Sequence, residues 1–128
     1  MNKFKILVVD DDDNLALLIK VGLKAAEYEV KTANSAAEAM QTFLRFKPQL
    51  VLTDIGIGEE NGLDLIKRIR SHCGPVKTIY MTGDLGRYDA ALAQEKQLYH
   101  AAVIAKPFTH YELIVAVSAQ AHAQPKAA

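Results

Sequence analysis

Three carboxylates, one hydroxyl and one amine each stand at the end of a short apolar run in this sequence. These residues are Asp10, Asp11, Asp54, Thr82 and Lys106. Three carboxylates close together repel one another, and one of them takes up a proton unless a cation lies among them. The cation expected for carboxylates, a carbonyl oxygen, waters and a phosphate oxygen is Mg²⁺. The set therefore predicts a magnesium site, provided that the fold brings these residues together.

The same side chains suit the transfer of a phosphoryl group to a carboxylate. Asp54 could be the nucleophile, because carboxylates form aspartyl phosphates. In-line transfer needs positioning and charge neutralisation more than covalent chemistry from the protein. Lys106 could supply positive charge opposite the metal ion, and the Thr82 hydroxyl could donate to a phosphoryl oxygen. The residue types therefore indicate a phosphoacceptor site.

The segments between these residues predict how they are positioned. Five apolar runs alternate with five helical patterns, and the runs cover residues 4–9, 28–33, 49–53, 76–81 and 101–105. Four runs are almost continuously apolar, as buried parallel strands are, whereas 28–33 alternates as an edge strand does. This order predicts an α/β fold with an open parallel sheet and helices on both faces. Ligands bind such sheets at the carboxyl ends of the strands, where the polar residues fall.

Capping and breaking residues delimit the helices. Asn14 or Asp13 is expected to cap the first helix, and the expected capping boxes are Ser35–Glu38 and Thr109–Glu112. The third helix is expected over about 62–71 and the Ala-rich fourth over about 85–97. The apolar stripe expected on the first helix consists of Leu15, Leu18, Ile19, Leu23 and Ala26.

Composition limits the classes of protein that fit. The length of 128 residues suits one domain, and half of the residues are apolar. Fifteen basic and fifteen acidic residues give no sign of direct binding to nucleic acid or a membrane. No apolar run approaches the roughly 20 residues of a membrane span, and the single cysteine, Cys73, cannot form an internal disulfide. We expect a cytoplasmic protein.

Four segments resemble the signatures of response-regulator receiver domains, in the same order and at suitable spacing. They are ILVVDDDD (6–13), VLTDIGIGEENG (51–62), IYMTG (79–83) and AKPF (105–108). The resemblance extends from about residue 4 to residue 121. It implies a flavodoxin-like (βα)5 fold with strand order 2-1-3-4-5 and a receiver domain over residues 1–121. The composition of the last residues predicts a frayed tail over 122–128.

The resemblance also assigns roles at the metal site. Asp10 and Asp11 match the acidic pair of the family, with Asp11 as the direct Mg²⁺ ligand and Asp10 acting more through water. Asp54 matches the phosphoacceptor and second ligand. The backbone carbonyl of Gly56 matches the third ligand.

The remaining matches concern the phosphoryl group and its donor. Thr82 matches the switch hydroxyl, and Lys106 matches the phosphate-binding lysine, whose bond to Pro107 is usually cis in the family. The implied donor is a sensor histidine kinase or a phosphotransfer protein, and the implied output is an altered face formed by the fourth helix, fifth strand and fifth helix. The implied state is a monomer or a phosphorylation-linked dimer. The sequence leaves open the downstream target, and whether the domain stands alone or belongs to a longer chain.

Several positions depart from the family pattern. The aromatic switch residue usually stands three positions before the lysine, where this sequence has Val103, although Tyr99 is nearby. A proline of the loop after the phosphoacceptor is replaced by Gly58, and the usual Asp-Gly is Asn61-Gly62. None of these departures removes a residue with a chemical role. Phosphorylation is therefore expected to be intact and signal transmission to be unusual.

Two other functions are compatible with parts of the pattern. A haloacid-dehalogenase-like hydrolase also forms an aspartyl intermediate. The pattern of that class is D-x-D after the first strand, whereas the candidate nucleophile Asp54 stands at the end of the third. A receiver-like module could instead bind partners without being phosphorylated, and Val103 favours that alternative. The intact acidic, hydroxyl and amine set favours a phosphoacceptor that is not a turnover enzyme.

Overall fold

Five long strands, a short hairpin and five helices make up the computed structural model, which describes residues 3–84 and 86–122. The strands are β1 (Lys5–Val9), β2 (Glu29–Ala33), β3 (Leu50–Asp54), β4 (Gly56–Ile57), β5 (Glu60–Asn61), β6 (Lys77–Thr82) and β7 (Ala102–Ala105). The helices are α1 (Asp13–Ala25), α2 (Ala36–Phe46), α3 (Gly62–Cys73), α4 (Asp89–Tyr99) and α5 (His110–Ala121). Each long strand begins and ends within one residue of the apolar run that predicted it.

The long strands form one parallel sheet in the order β2-β1-β3-β6-β7, while β4 and β5 form a separate antiparallel pair. Without that hairpin the order is 2-1-3-4-5, so the flavodoxin-like α/β fold is confirmed. The chain crosses from one side of β1 to the other after β2. The ends of β1 and β3 therefore flank the switch point at which open α/β sheets bind ligands.

Both faces of the sheet are covered by helices, which explains the continuous apolar runs. Ile6, Leu7, Val8 and Val9 of β1 are all fully buried. Alternate strand residues pack with α2, α3 and Leu92 of α4 on one face, and with α1 and α5 on the other. The edge strand β2 alternates between exposed and buried positions, as its sequence predicts.

The first helix differs in two respects from its prediction. Its cap is Asp12, not Asn14 or Asp13, because Asp12 has extended backbone and its carboxylate accepts from the amides of Asn14 and Leu15. The buried positions are Ala16, Ile19 and Leu23. Leu18 is 70 % exposed, so its inclusion in the buried stripe was wrong. The helix faces the sheet through i, i+3 and i+7 from Ala16, and Leu18 points away from that face.

Of the two predicted capping boxes, one is complete. In α5, the Thr109 hydroxyl accepts from the Glu112 amide, and the Glu112 carboxylate accepts from the Thr109 amide. In α2, Ser35 accepts from the Glu38 amide, but the Glu38 carboxylate accepts from the amide of Asn34. The second bond of the α2 box was therefore wrongly predicted, because the side chain of Glu38 reaches one residue further back.

The third and fourth helices end beyond their predicted limits. Helix α3 continues to Cys73, and Gly74 follows it with φ 78°. Helix α4 begins at Asp89, later than the predicted residue 85, and Tyr88 precedes it without a side-chain cap. Within the described ranges, no helix is long and apolar enough to cross a membrane. The predicted frayed tail lies outside the described residues from 123 onward.

Candidate functional site

Four strand ends deliver their polar residues to one edge of the sheet. Asp10 directly follows β1, Asp54 ends β3, Thr82 ends β6, and Lys106 directly follows β7. Backbone hydrogen bonds fix the last two against each other, because the Lys106 amide donates to the Thr82 carbonyl at 2.8 Å. The parallel register therefore brings together residues that lie far apart in the sequence.

Lys106 joins two of the carboxylates. Its Nζ lies 2.9 Å from Asp10 Oδ2 and 2.9 Å from Asp54 Oδ2. Asp10 is fully buried, while the side chain of Asp54 is 16 % exposed and that of Lys106 is 23 % exposed. The phosphoacceptor candidate is thus the carboxylate of this pair that solvent and a phosphodonor can reach. The Lys106–Pro107 peptide bond is cis, as the resemblance implied.

Asp10, Asp11 and Asp54 form a group that can hold a metal ion. Each offers a carboxylate oxygen, and these atoms lie within 4.8 Å of one another. Asp11 is exposed, and its Oδ2 accepts from the Gly58 amide at 3.0 Å. Three carboxylates beside one ammonium leave an excess of negative charge, which fits a hard divalent cation. Gly56 lies in β4 close by along the chain, and its carbonyl stays a predicted ligand.

Burial and charge act in opposite directions on Asp10 and Lys106. Burial raises the pKa of Asp10 and outweighs the Asp12 amide, which donates to Asp10 Oδ1 at 2.9 Å, as well as the Lys106 contact. Burial also disfavours the charge of Lys106, but its hydrogen bonds to Asp10 and Asp54 outweigh that effect and raise its pKa. Both pKa values are therefore raised, for different reasons. The ion pair favours the charged form of each residue, and desolvation outweighs the pair for Asp10 but not for Lys106.

Thr82 points toward the loop that follows β6. Its hydroxyl donates to the Asp84 carbonyl at 3.1 Å and accepts from the Asp84 amide at 3.0 Å. Thr82 itself is buried. The hydroxyl is thus occupied by the loop backbone, and donating to a group on Asp54 requires it to leave the Asp84 carbonyl.

Thr53 and Gly62 support the site, although the sequence did not single them out for it. The Thr53 hydroxyl donates to the Asp54 carbonyl at 2.9 Å, and the Gly62 amide donates to the Ile55 carbonyl at 2.7 Å. A Cβ at Gly62 would lie 2.2 Å from the Asp54 carbonyl oxygen. Asn61 caps α3 by accepting from the Leu63 amide at 2.7 Å, so it acts as a cap and turn residue. A glycine directly after a capping residue was the only sequence signal for this close approach.

Val103, which stands where the resemblance places an aromatic switch residue, packs against the core. Val103 of β7 is partly buried and is the sheet neighbour of Tyr80 in β6. Tyr99 lies at the end of α4 and is 41 % exposed. Its ring contacts Arg70 of α3, with the guanidinium carbon 3.4 Å from the ring centre.

Comparison with known proteins agrees with this geometry. The family model for the response regulator receiver domain matches residues 6–118. The transcriptional regulatory protein PhoP of Bacillus subtilis is 30 % identical over 119 residues, covering 93 % of this chain and 48 % of PhoP. The regulator NtrC of a Bradyrhizobium species is 32 % identical over 121 residues, covering 94 % and 25 %. The chain thus spans about half or less of these curated relatives.

Solved structures of similar chains have the same architecture. The non-phosphorylated HemR receiver domain of Leptospira biflexa gives a TM-score of 0.85 at 25 % identity, covering 98 % of this chain and all of that one. The response regulator TrrA of Thermotoga maritima, in complex with Mg²⁺-BeF, gives 0.78 at 31 % identity, covering 93 % and 99 %. Together with the match of the family model, these results show that the chain belongs to the response regulator receiver domain family of two-component systems.

Proposed function

We propose that this receiver accepts a phosphoryl group on Asp54 in a Mg²⁺-dependent reaction and thereby switches a protein-interaction face. The observation that carries the proposal is the carboxylate group itself. Asp10, Asp11 and Asp54 converge within 4.8 Å, and Lys106 lies 2.9 Å from the Asp54 carboxylate. The likeness to TrrA, whose solved complex holds Mg²⁺-BeF, supports the same ligand chemistry here.

Each residue has a separate task in this reaction. Asp10, Asp11 and Asp54 would hold the metal ion, with the predicted carbonyl of Gly56 as a further ligand. When bound, Mg²⁺ supplies positive charge to the phosphoryl oxygens and relieves the repulsion among the carboxylates. Lys106 would pair with the negative charge of the phosphoryl group that Asp54 accepts.

The covalent step is a simple displacement at phosphorus. An oxygen of the Asp54 carboxylate forms the new bond, and the bond from phosphorus to the donor's histidine nitrogen breaks, with the electron pair left on the histidine ring. The proposed donor is a sensor histidine kinase or a histidine phosphotransfer protein. Thr82 would then leave Asp84 and donate its hydroxyl hydrogen to a phosphoryl oxygen.

In this role the domain is a phosphoacceptor with slow self-dephosphorylation, and it is not a turnover enzyme. PhoP and NtrC are transcriptional regulators of greater length, and the chain matches one part of each. The role carried over from them is therefore that of the receiver. A module that binds partners without phosphorylation is the second candidate, because Val103 stands where an aromatic switch is expected.

The proposal is tested by measuring the intact mass of the protein after incubation with acetyl phosphate or phosphoramidate and Mg²⁺. We expect one added phosphoryl group. Asp54→Asn and a sample with the metal chelated should show none. The first lacks the acceptor carboxylate, and the second lacks the cation that neutralises the negative charge of the phosphoryl oxygens.

Asp64→Asn is the matched control. Asp64 is an exposed carboxylate in the first turn of α3 and does not belong to the convergent group. This variant should be labelled as fast as the wild type. A folded wild-type protein that no donor labels would refute the phosphoacceptor role and leave the binding module as the better candidate.

A further inference from the structure

Helix α4 is held to the rest of the molecule largely through one charged residue. Of its residues, only Leu92 and Glu95 are buried, and Glu95 is 5 % exposed. One buried leucine removes little apolar surface from water for a helix of three turns. The contacts of Glu95 are therefore decisive for the position of α4.

Glu95 lies between a strand residue and a residue of α3. The Tyr80 hydroxyl of β6 donates to Glu95 Oε1 at 2.6 Å. Arg70 of α3 binds the same carboxylate with both terminal nitrogens, Nη1 to Oε2 at 3.0 Å and Nη2 to Oε1. The Arg70 guanidinium also stacks on Tyr99 at the end of α4. These four residues, called the α4 latch below, join α4 to β6 and α3.

The latch is shielded from water but not fully satisfied. Tyr80 is fully buried, and the side chains of Arg70 and Glu95 are 10 % and 7 % exposed. Burial alone would raise the pKa of Glu95, but hydrogen bonds from Arg70 and Tyr80 outweigh it and lower that pKa. The Arg70 Nε atom is buried without a hydrogen-bond partner. One buried donor of the latch is thus left unpaired, which lowers the net stabilisation that these contacts give to the position of α4.

Strand β6 connects the latch to the candidate phosphorylation site. Tyr80 and Thr82 stand two residues apart on this strand, so their side chains face the same side of the sheet. The Thr82 carbonyl accepts from the Lys106 amide at 2.8 Å, and the Lys106 ammonium binds Asp54. A change at Asp54 that moves Thr82 or Lys106 therefore acts on the strand that carries Tyr80.

The latch also contains the aromatic ring that position 103 lacks. Val103 is the sheet neighbour of Tyr80, and both pack into the same apolar cluster. Valine has neither a ring to move nor a hydroxyl to bond. Its neighbour Tyr80 has both, one strand away, and its hydroxyl is already bonded to α4.

We propose that the α4 latch transmits the phosphorylation state of Asp54 to α4, with Tyr80, Glu95 and Arg70 as positioning residues. The proposal rests on the proposed function, because it needs a phosphoryl group on Asp54. Movement of Thr82 toward that group shifts the end of β6, changes the bond between Tyr80 and Glu95, and repositions α4. Coupling of this kind is reciprocal, so loss of the latch also changes the energetics of the site.

The test records the backbone amide NMR shifts of α4 before and after labelling with phosphoramidate and Mg²⁺. Wild type, Tyr80→Phe and Arg68→Gln are compared. The control residue Arg68 is on the same helix as Arg70, but its ion pair with Glu60 is about half exposed. All three proteins should be labelled on Asp54. The shift changes in α4 should match between wild type and Arg68→Gln, and should fall by half or more in Tyr80→Phe.

Glu95→Ala is a second variant with the same expected loss, because it removes the carboxylate that accepts from both Tyr80 and Arg70. Thermal unfolding of each variant establishes that it is folded. If labelled Tyr80→Phe shows the wild-type response in α4, or if labelled wild type shows none, the latch is wrong and the phosphoacceptor role stands. If the wild type is not labelled at all, the phosphoacceptor role fails and the latch fails with it.

Discussion

Asp10 is the most buried carboxylate of the site, and its charge lies in a region that water does not reach. The cation beside it, Lys106, is shared with Asp54. Burial raises the pKa of Asp10 despite this contact. Asp10 belongs to the candidate metal group, and we therefore expect its buried charge to weaken the fold when no metal is bound.

We predict that Asp10→Asn stabilises the metal-free protein at neutral pH by about 1 kcal/mol, within the range that single stabilising substitutions reach. The amide has no charge to desolvate, its oxygen can still accept from Lys106, and Lys106 keeps Asp54 as its ionic partner. A carboxyl whose pKa is raised by folding loses its proton more readily in the unfolded state, so the free energy of unfolding falls as pH rises above its ordinary value of 3.8. The stability gain should thus be absent in strong acid and grow with pH.

Chemical denaturation of both proteins in chelator, at several pH values, checks this prediction. Glu59→Gln serves as the control and should leave stability nearly unchanged, because Glu59 is exposed and lies in the turn between β4 and β5, away from any helix end. A metal-free Asp10→Asn protein that is less stable at neutral pH than the wild type would contradict the argument from burial.

The start of α3, directly after the short hairpin of β4 and β5, packs against the end of β3, where Asp54 lies. The Gly62 amide binds the Ile55 carbonyl, and the α carbon of Gly62 lies close to the Asp54 carbonyl. Any side chain at this position would collide with the backbone of Asp54. The glycine is therefore required for packing and not for a special φ angle.

We predict that Gly62→Ala destabilises the protein by about 2 kcal/mol, because an added methyl group in a packed site forces backbone shifts. It should also slow the labelling of Asp54, since that backbone must move by enough to relieve a 2.2 Å contact. Denaturation and the intact-mass assay measure the two effects separately.

Gly83→Ala is the matched substitution for stability. A Cβ at Gly83 has no heavy atom within 4 Å, and its φ lies outside the left-handed region. Its free energy of unfolding should stay close to that of the wild type. Equal losses in the two variants would show that the cost comes from removing any glycine of the site loops.

The whole molecule has an uneven distribution of charge that its neutral total conceals. All five helices run from the edge that holds the site to the opposite edge, and each has an acid in its first turn: Asp13, Glu38, Asp64, Asp89 and Glu112. Basic residues occupy the last turns of α1, α2, α3 and α4. These positions complement the helix dipoles. They also add negative charge to the edge of the sheet that holds the three carboxylates, which favours a divalent cation.

We predict that Mg²⁺ raises the melting temperature of the wild type by several degrees. A ligand at ten times its Kd adds about 1.4 kcal/mol to the free energy of unfolding if it binds only the folded state. Asp11→Asn should lose most of this shift, because Asp11 is the exposed carboxylate of the metal group. Scanning calorimetry with a Mg²⁺ series measures the effect.

Asp13→Asn controls for the general acidity of this edge. Asp13 is exposed and lies in the first turn of α1, outside the metal group. Its response to Mg²⁺ should equal that of the wild type, and NaCl of the same ionic strength should not reproduce the shift. An equal loss in Asp11→Asn and Asp13→Asn would indicate nonspecific screening.

The sequence by itself determined the sheet and the residues at its edge. Strands buried on both faces require continuous apolar runs, which marked four strands, and the alternating run 28–33 marked the edge strand; all five were placed to within one residue. Parallel strands end at the same edge, so Asp10, Asp54, Thr82 and Lys106 could be placed together without knowledge of any contact. The cap Thr109 was also readable, because its partner Glu112 is three residues away.

Only the tertiary structure decided which side chains meet. Lys106 bridges carboxylates 96 and 52 residues away, and no local pattern encodes such pairs. The same holds for Glu95, which looks like a surface residue of a weakly amphipathic helix until Arg70 and Tyr80 are placed against it. A buried charge is tolerated only where partners from other elements compensate its desolvation, and those partners are defined by packing.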